Sequence, residues 1–84
     1  MRKFLRRKQT GIPAATVHGW QKEKIYPKFF KIGLKASGLF EDEHQRVMEL
    51  WSGGAAKEEI IALVNLIHKE RQEAADEVRK GVTL

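Results

Sequence analysis

Hydrophobic residues recur along this 84-residue chain at more than one spacing, and the spacing changes wherever glycine or proline interrupts it. Within residues 13–23, Val17 and Trp20 stand three apart and so share one helical face, while Thr16, His18, Gly19, Gln21 and Lys22 fill the remainder. Thr10-Gly11-Ile12-Pro13 reads as a break followed by a helix start, because glycine permits the turn and proline is tolerated at the first helical position. Ahead of that break, residues 2–9 form a short candidate helix whose apolar residues are Phe4 and Leu5.

Pro27 ends the helical pattern, and residues 28–40 turn to β-branched and aromatic types around a glycine-bearing middle, the signature of a hairpin. Residues 29–32 make one strand and 37–40 the other, with 33–36 as the turn and Lys31 and Lys35 near the tip. Glu41, Asp42 and Glu43 then occupy the first turn of a third helix, where carboxylates favour the positive end of the dipole. Val47, Met48, Leu50 and Trp51 give that helix its apolar side, and Gly53-Gly54 closes it. A last helix over residues 56–80 carries Ile60, Leu63, Val64 and Ile67 in amphipathic order, then thins to Ala74, Ala75 and Val78. Twenty-five residues span about 37 Å, longer than a core this small covers. Its second half, supported by Lys69 with Glu73 and Asp76 with Lys80, either frays or meets another chain, through Leu66, Ile67 or the stripe from Ala74 to Val78.

Length limits this to a single domain over residues 1–84, and the apolar run at 60–64 is far short of the roughly 20 residues that span a bilayer. Residues 1–8 have the charged start of a signal peptide without the apolar run that must follow, so a cytoplasmic location and no membrane partner are expected, nucleoid-associated if the chain binds DNA. Charge changes the picture most. Residues 1–35 hold ten basic side chains and only Glu23 as an acid, a net +9; the remainder holds six basic and ten acidic, a net −4. So local an excess carries a cost in self-repulsion that a polyanion relieves, which makes nucleic acid or an anionic membrane the leading partner class, double-stranded DNA being the partner expected.

The order helix, tight turn, helix, β-hairpin, helix, with the charge in front, is the plan of a winged helix-turn-helix: mainly α, with a small β-hairpin and a long C-terminal helix. Its parts are a helix-turn-helix over residues 1–27, a wing over 28–40, a third helix over 41–53 and the C-terminal helix over 56–80. The residues themselves carry a resemblance. Thr10-Gly11-Ile12, the small-small-Thr-aliphatic run Ala14-Ala15-Thr16-Val17, and Tyr26-Pro27-Lys28 leading to Lys31-Ile32-Gly33 are similar to the AlpA family of phage and integrative-element regulators and excisionases, related to MerR-like winged helices. The similarity covers roughly residues 10–44. The chain departs from the family pattern at Gly19, where a long polar or basic residue is usual, at Lys35, where Arg is usual, and at Pro13, where a Ser cap is usual. With fewer side chains to read bases, more of the affinity is expected from phosphates and DNA shape.

On this plan the second helix enters the major groove with Ala14, Ala15, Thr16, His18, Gly19 and Lys22 outward. The wing residues Lys28, Lys31, Lys35 and Ser37 lie over the neighbouring minor groove, and Arg2, Lys3, Arg6 and Arg7 run along the backbone. The resemblance implies a recombination directionality factor that binds and bends attachment-site DNA so that a tyrosine-type integrase excises a prophage or genomic island, with cooperative assembly on DNA and a transcriptional role besides. A dedicated transcriptional regulator is the alternative, and a protein-interaction module with a basic face the weaker one.

Catalysis has no evident set. His18, His44 and His68 share no i, i+4 spacing for a metal, Ser37 and Ser52 lack a nucleophile's partners, and no cofactor motif is present, so neither an enzyme nor a cofactor is expected. Trp20 and Trp51 read as core, and the acids of the last two helices as a solvated face.

Overall fold

The computed structural model describes residues 2–82; the ends of the 1–84 range, Met1 and residues 83–84, lie outside the described residues. Three helices pack with a three-stranded antiparallel sheet in the order β1 (Phe4–Arg6), α1 (Ala14–Lys22), β2 (Phe30–Ile32), β3 (Ala36–Phe40), α2 (Glu41–Ser52) and α3 (Lys57–Gly81). Among the described residues no helix is long and apolar enough to cross a membrane.

The first segment differs from its sequence reading. In place of a helix over residues 2–9, Phe4–Arg6 is a strand and Arg7–Gln9 a single 3₁₀ turn, so the described residues of the 1–27 segment contain one α-helix rather than two. The cause is a distant partner. β1 pairs antiparallel with β3, Phe4 opposite Phe40 and Leu5 opposite Leu39, which places the two leucines on one face and the two phenylalanines on the other. β3 thus becomes the central strand, flanked on its other edge by β2. Gly38 makes the arrangement possible, since a Cβ there would collide with the Leu5 carbonyl.

The core draws on every layer: Val17 of α1, Ile25 and Tyr26 behind it, Leu39 of β3, Val47 of α2, and Ile60, Val64 and Ile67 of α3. Trp20 packs against this cluster, but Trp51 is 40% exposed and lies stacked on Trp20, ring centroids 5.5 Å apart, as a lid rather than a core residue. On the opposite sheet face Phe30 meets Phe4 edge-on and Phe40 at a tilt.

The acids of the last two helices are not uniformly solvated. Glu43 is buried, accepting the Phe40 N–H at 3.1 Å and gripped by Arg71 through Nε at 2.9 Å and Nη2 at 2.7 Å. Arg71 also donates to the Lys28 carbonyl at 2.8 Å, so one guanidinium ties α3 to α2 and to the approach of β2. With charge and hydrogen bonds both satisfied, the buried carboxylate is tolerated. Beyond Arg71, α3 is exposed apart from the partly covered Ala75. There Lys80 pairs with Glu77 and Arg79 with Asp76, so the i, i+4 pairing of Asp76 with Lys80 is replaced by i, i+3 pairs.

Candidate nucleic-acid interface

The basic segment is organised by short-range hydrogen bonds. Gln9 Oε1 accepts the Arg6 N–H at 2.9 Å, closing the 3₁₀ turn. The nearly buried Thr10 hydroxyl donates to the Arg7 carbonyl at 3.1 Å and accepts the Ile12 N–H at 3.2 Å. One side chain therefore fixes the basic turn relative to the start of α1. Pro13 stands just ahead of that helix with φ −55°, already suited to helix entry.

On α1 the buried Val17 and half-buried Trp20 define the inner side, and Ala14, Ala15, His18 and Lys22 are exposed. At about 100° per residue these four fall within one arc of the helix, with the half-covered Gly19 and Thr16 at its flank. The outward face is thus flat near the N-terminus and ends in a cation.

β1 pairing with β3 brings the basic turn to the hairpin. Arg6, Arg7 and Lys8 converge with Lys35, Ala36 and Ser37 on an open cleft of about 260 Å³. No carboxylate lines it, and among the described residues none of its four cations takes part in an ion pair. Four uncompensated cations and a hydroxyl around one concavity form a site for anionic oxygens.

Other expected backbone contacts lie elsewhere. Arg2 is committed to Asp42 at 3.0 Å and Glu43 at 3.4 Å, its guanidinium 3.9 Å above the Phe40 ring, and with Lys3 it borders a surface of mixed charge that includes Glu41 and Arg46. Lys28 lies beside α3 and donates its backbone N–H to His68 Nε2 at 3.0 Å. Lys31 is exposed on the hairpin, its position opposite that of Ser37. The structure therefore unites Arg6, Arg7, Lys35 and Ser37, and leaves Arg2, Lys3 and Lys28 apart from that cleft.

One residue joins the cleft that sequence reasoning did not single out. Lys8 belongs to the cleft, and only its place in the Arg6-Arg7-Lys8 run signals it. Leu34, at the hairpin turn, is 96% exposed. The histidines have structural partners. Tyr26, fully buried, has its phenol held far above the ordinary range by burial and by the Glu43 charge; it stays protonated and is assigned as donor to His44 Nδ1 at 2.8 Å. Burial lowers the His44 pKa, Glu41 opposing, and lowers that of His68, where Arg71 and Lys28 add to the effect and Glu43 opposes it. Both rings are accordingly neutral near pH 7.

No family model, curated protein or solved structure matches the chain.

Proposed function

We propose that this protein is a DNA-binding module that works as a winged helix-turn-helix whose first helix is reduced to one 3₁₀ turn. α1 lies in the major groove with Ala14, Ala15 and His18 toward the bases and Lys22 toward a phosphate, while the β2–β3 hairpin covers the adjacent minor groove. The observation that carries the reading is the cleft of Arg6, Arg7, Lys8 and Lys35, free of carboxylates and joined through Thr10 to the start of α1. A phosphate seated there fixes the protein's register, and the small outward side chains of α1 let the helix approach closely.

Within that class the role we assign is recombination directionality: binding and bending attachment-site DNA so that a tyrosine-type integrase excises the element. The support is the AlpA-like succession at residues 10–33 together with Gly19 and the two alanines, which favour readout of phosphates and shape over base identity.

Fluorescence anisotropy with short duplex DNA at several salt concentrations tests the binding. Each phosphate contact contributes a log–log slope near −0.9, so an Arg6→Ala, Arg7→Ala, Lys35→Ala variant should flatten the slope by about 3 and weaken binding to every duplex alike. Affinity indifferent to those three residues overturns the reading. An integrase reaction on paired attachment sites then separates the roles: stimulated excision supports directionality, whereas duplex binding with no effect on excision leaves transcriptional regulation.

A further inference from the structure

The hairpin turn carries a feature that phosphate binding leaves unused. Turns favour Gly, Asn, Asp, Ser and Pro, yet the centre of the Gly33-Leu34-Lys35 turn is a leucine, 96% exposed. Ile32, the last residue of β2, is 49% exposed just behind it. Gly33 holds φ +69°, a conformation that L side chains rarely adopt, so the turn geometry is set by its glycine and Leu34 is not needed to form it. Lys31 and Lys35 flank the apolar pair, and Lys35 belongs to the four-cation cleft. An apolar point flanked in sequence by two lysines, one of them lining a cleft without a carboxylate, is complementary to a polyanion that offers an apolar interior.

Duplex DNA is such a polyanion, with phosphates outside and stacked bases within. We infer that Leu34 is a wedge that enters the minor groove and unstacks a base step while Arg6, Arg7, Lys8 and Lys35 hold the flanking phosphates, bending the duplex. The inference rests on the DNA-binding reading above. A tip of one leucine, backed by one isoleucine, suits a groove about 6 Å wide, and apolar side chains of this size kink DNA by roughly 20–90° when inserted. The flexible TA and CA steps are the favoured points of entry, because they unstack at least cost. A lipid surface is the poorer match, since stable interfacial anchoring requires a far larger apolar area than this tip presents.

The test uses the full chain and a short duplex of repeated TA steps, with 2-aminopurine at one step and a donor–acceptor dye pair at the ends. Wild-type binding should raise 2-aminopurine emission several-fold and shorten the end-to-end distance. Leu34→Ser should keep its melting temperature, because Leu34 is almost fully exposed, and keep the salt slope, because no charge is lost. It should lose both the emission rise and the bend, while Leu34→Met retains them. Unstacking and bending that persist in Leu34→Ser, or wild-type binding without either, overturn the wedge and leave the DNA reading standing. No binding to duplex at all overturns both, and Leu34-dependent binding to phosphatidylserine vesicles in that case would assign the tip to a membrane.

Discussion

Two residues show how much a single backbone position decides here. α1 and α2 end in the same motif: the N–H groups of Lys24 and Ile25 reach back to Gln21 and Trp20, as those of Gly54 and Ala55 reach back to Trp51 and Leu50. The left-handed position is glycine in the second case, φ +77°, and lysine in the first, φ +64°. A lysine there carries steric strain that glycine avoids. Lys24→Gly relieves that strain at some cost in glycine's unfolded-state entropy, so it should stabilise the fold by about 0.5–1 kcal/mol, read as a higher urea midpoint with an unchanged m-value. Gly38 is the opposite case. A methyl group there meets the Leu5 carbonyl, backbone that cannot rotate aside, so Gly38→Ala should cost about 3 kcal/mol by the same measurement. Because β1 positions Arg6 and leads into the turn bearing Arg7 and Lys8, that variant should weaken DNA binding even where it remains folded.

At the scale of elements, what the sequence revealed and what it concealed divide by the distance between partners. The α1, α2 and α3 segments and the β2–β3 hairpin were legible because periodicity, Pro13, Pro27, the acidic first turn of α2 and Gly53-Gly54 are all local signals. β1 was not, since its pairing with Leu39 and Phe40 outweighs the helical propensity of an Arg- and Lys-rich segment. The convergence of Arg6 and Arg7 with Lys35 follows from that same pairing, so these three stood out one by one, Lys8 only by its place in the basic run, and their meeting was not legible. Glu43 was hidden for a like reason: its partner Arg71 lies 28 residues away. The hydrogen bonds joining these elements also set a pH dependence. His68 accepts the Lys28 N–H, and His44 is paired with a protonated Tyr26, so folding favours both neutral imidazoles. Their folded pKa values lie below the ordinary 6.5, whereas the unfolded chain takes up protons at that value. The unfolded state thus binds more protons as the pH falls, and stability that is complete above about pH 6.5 declines below it. Urea midpoints should drop between about pH 7.5 and pH 5, and His68→Gln, which keeps an acceptor for Lys28, should flatten part of that slope.

Across the whole molecule, charge and core are displaced from one another. The cationic cleft and the outward face of α1 belong to the first half of the chain, while α3 gives the molecule its 45 Å length and carries much of the acid. Its last buried residue is Ile67 and its last long-range ion pair that of Arg71 with Glu43, so the residues beyond bury almost nothing. Ending the chain after Glu73 removes Asp76 and Glu77 together with Arg79 and Lys80, two acids and two bases, and leaves the net charge unchanged. Stability should therefore fall by less than about 1 kcal/mol, because the described part of the lost segment contributes helix propensity, exposed ion pairs, the Gln72–Asp76 hydrogen bond and the partly covered Ala75. Affinity for a duplex with a single site should be unchanged, since neither the cleft nor the overall charge is altered. Tandem sites isolate what remains. If neighbouring copies meet through the projecting half of α3, binding to two adjacent sites becomes non-cooperative in the truncated chain while the intrinsic affinity of each site is retained, and titrations of one-site and two-site duplexes side by side measure the two quantities independently.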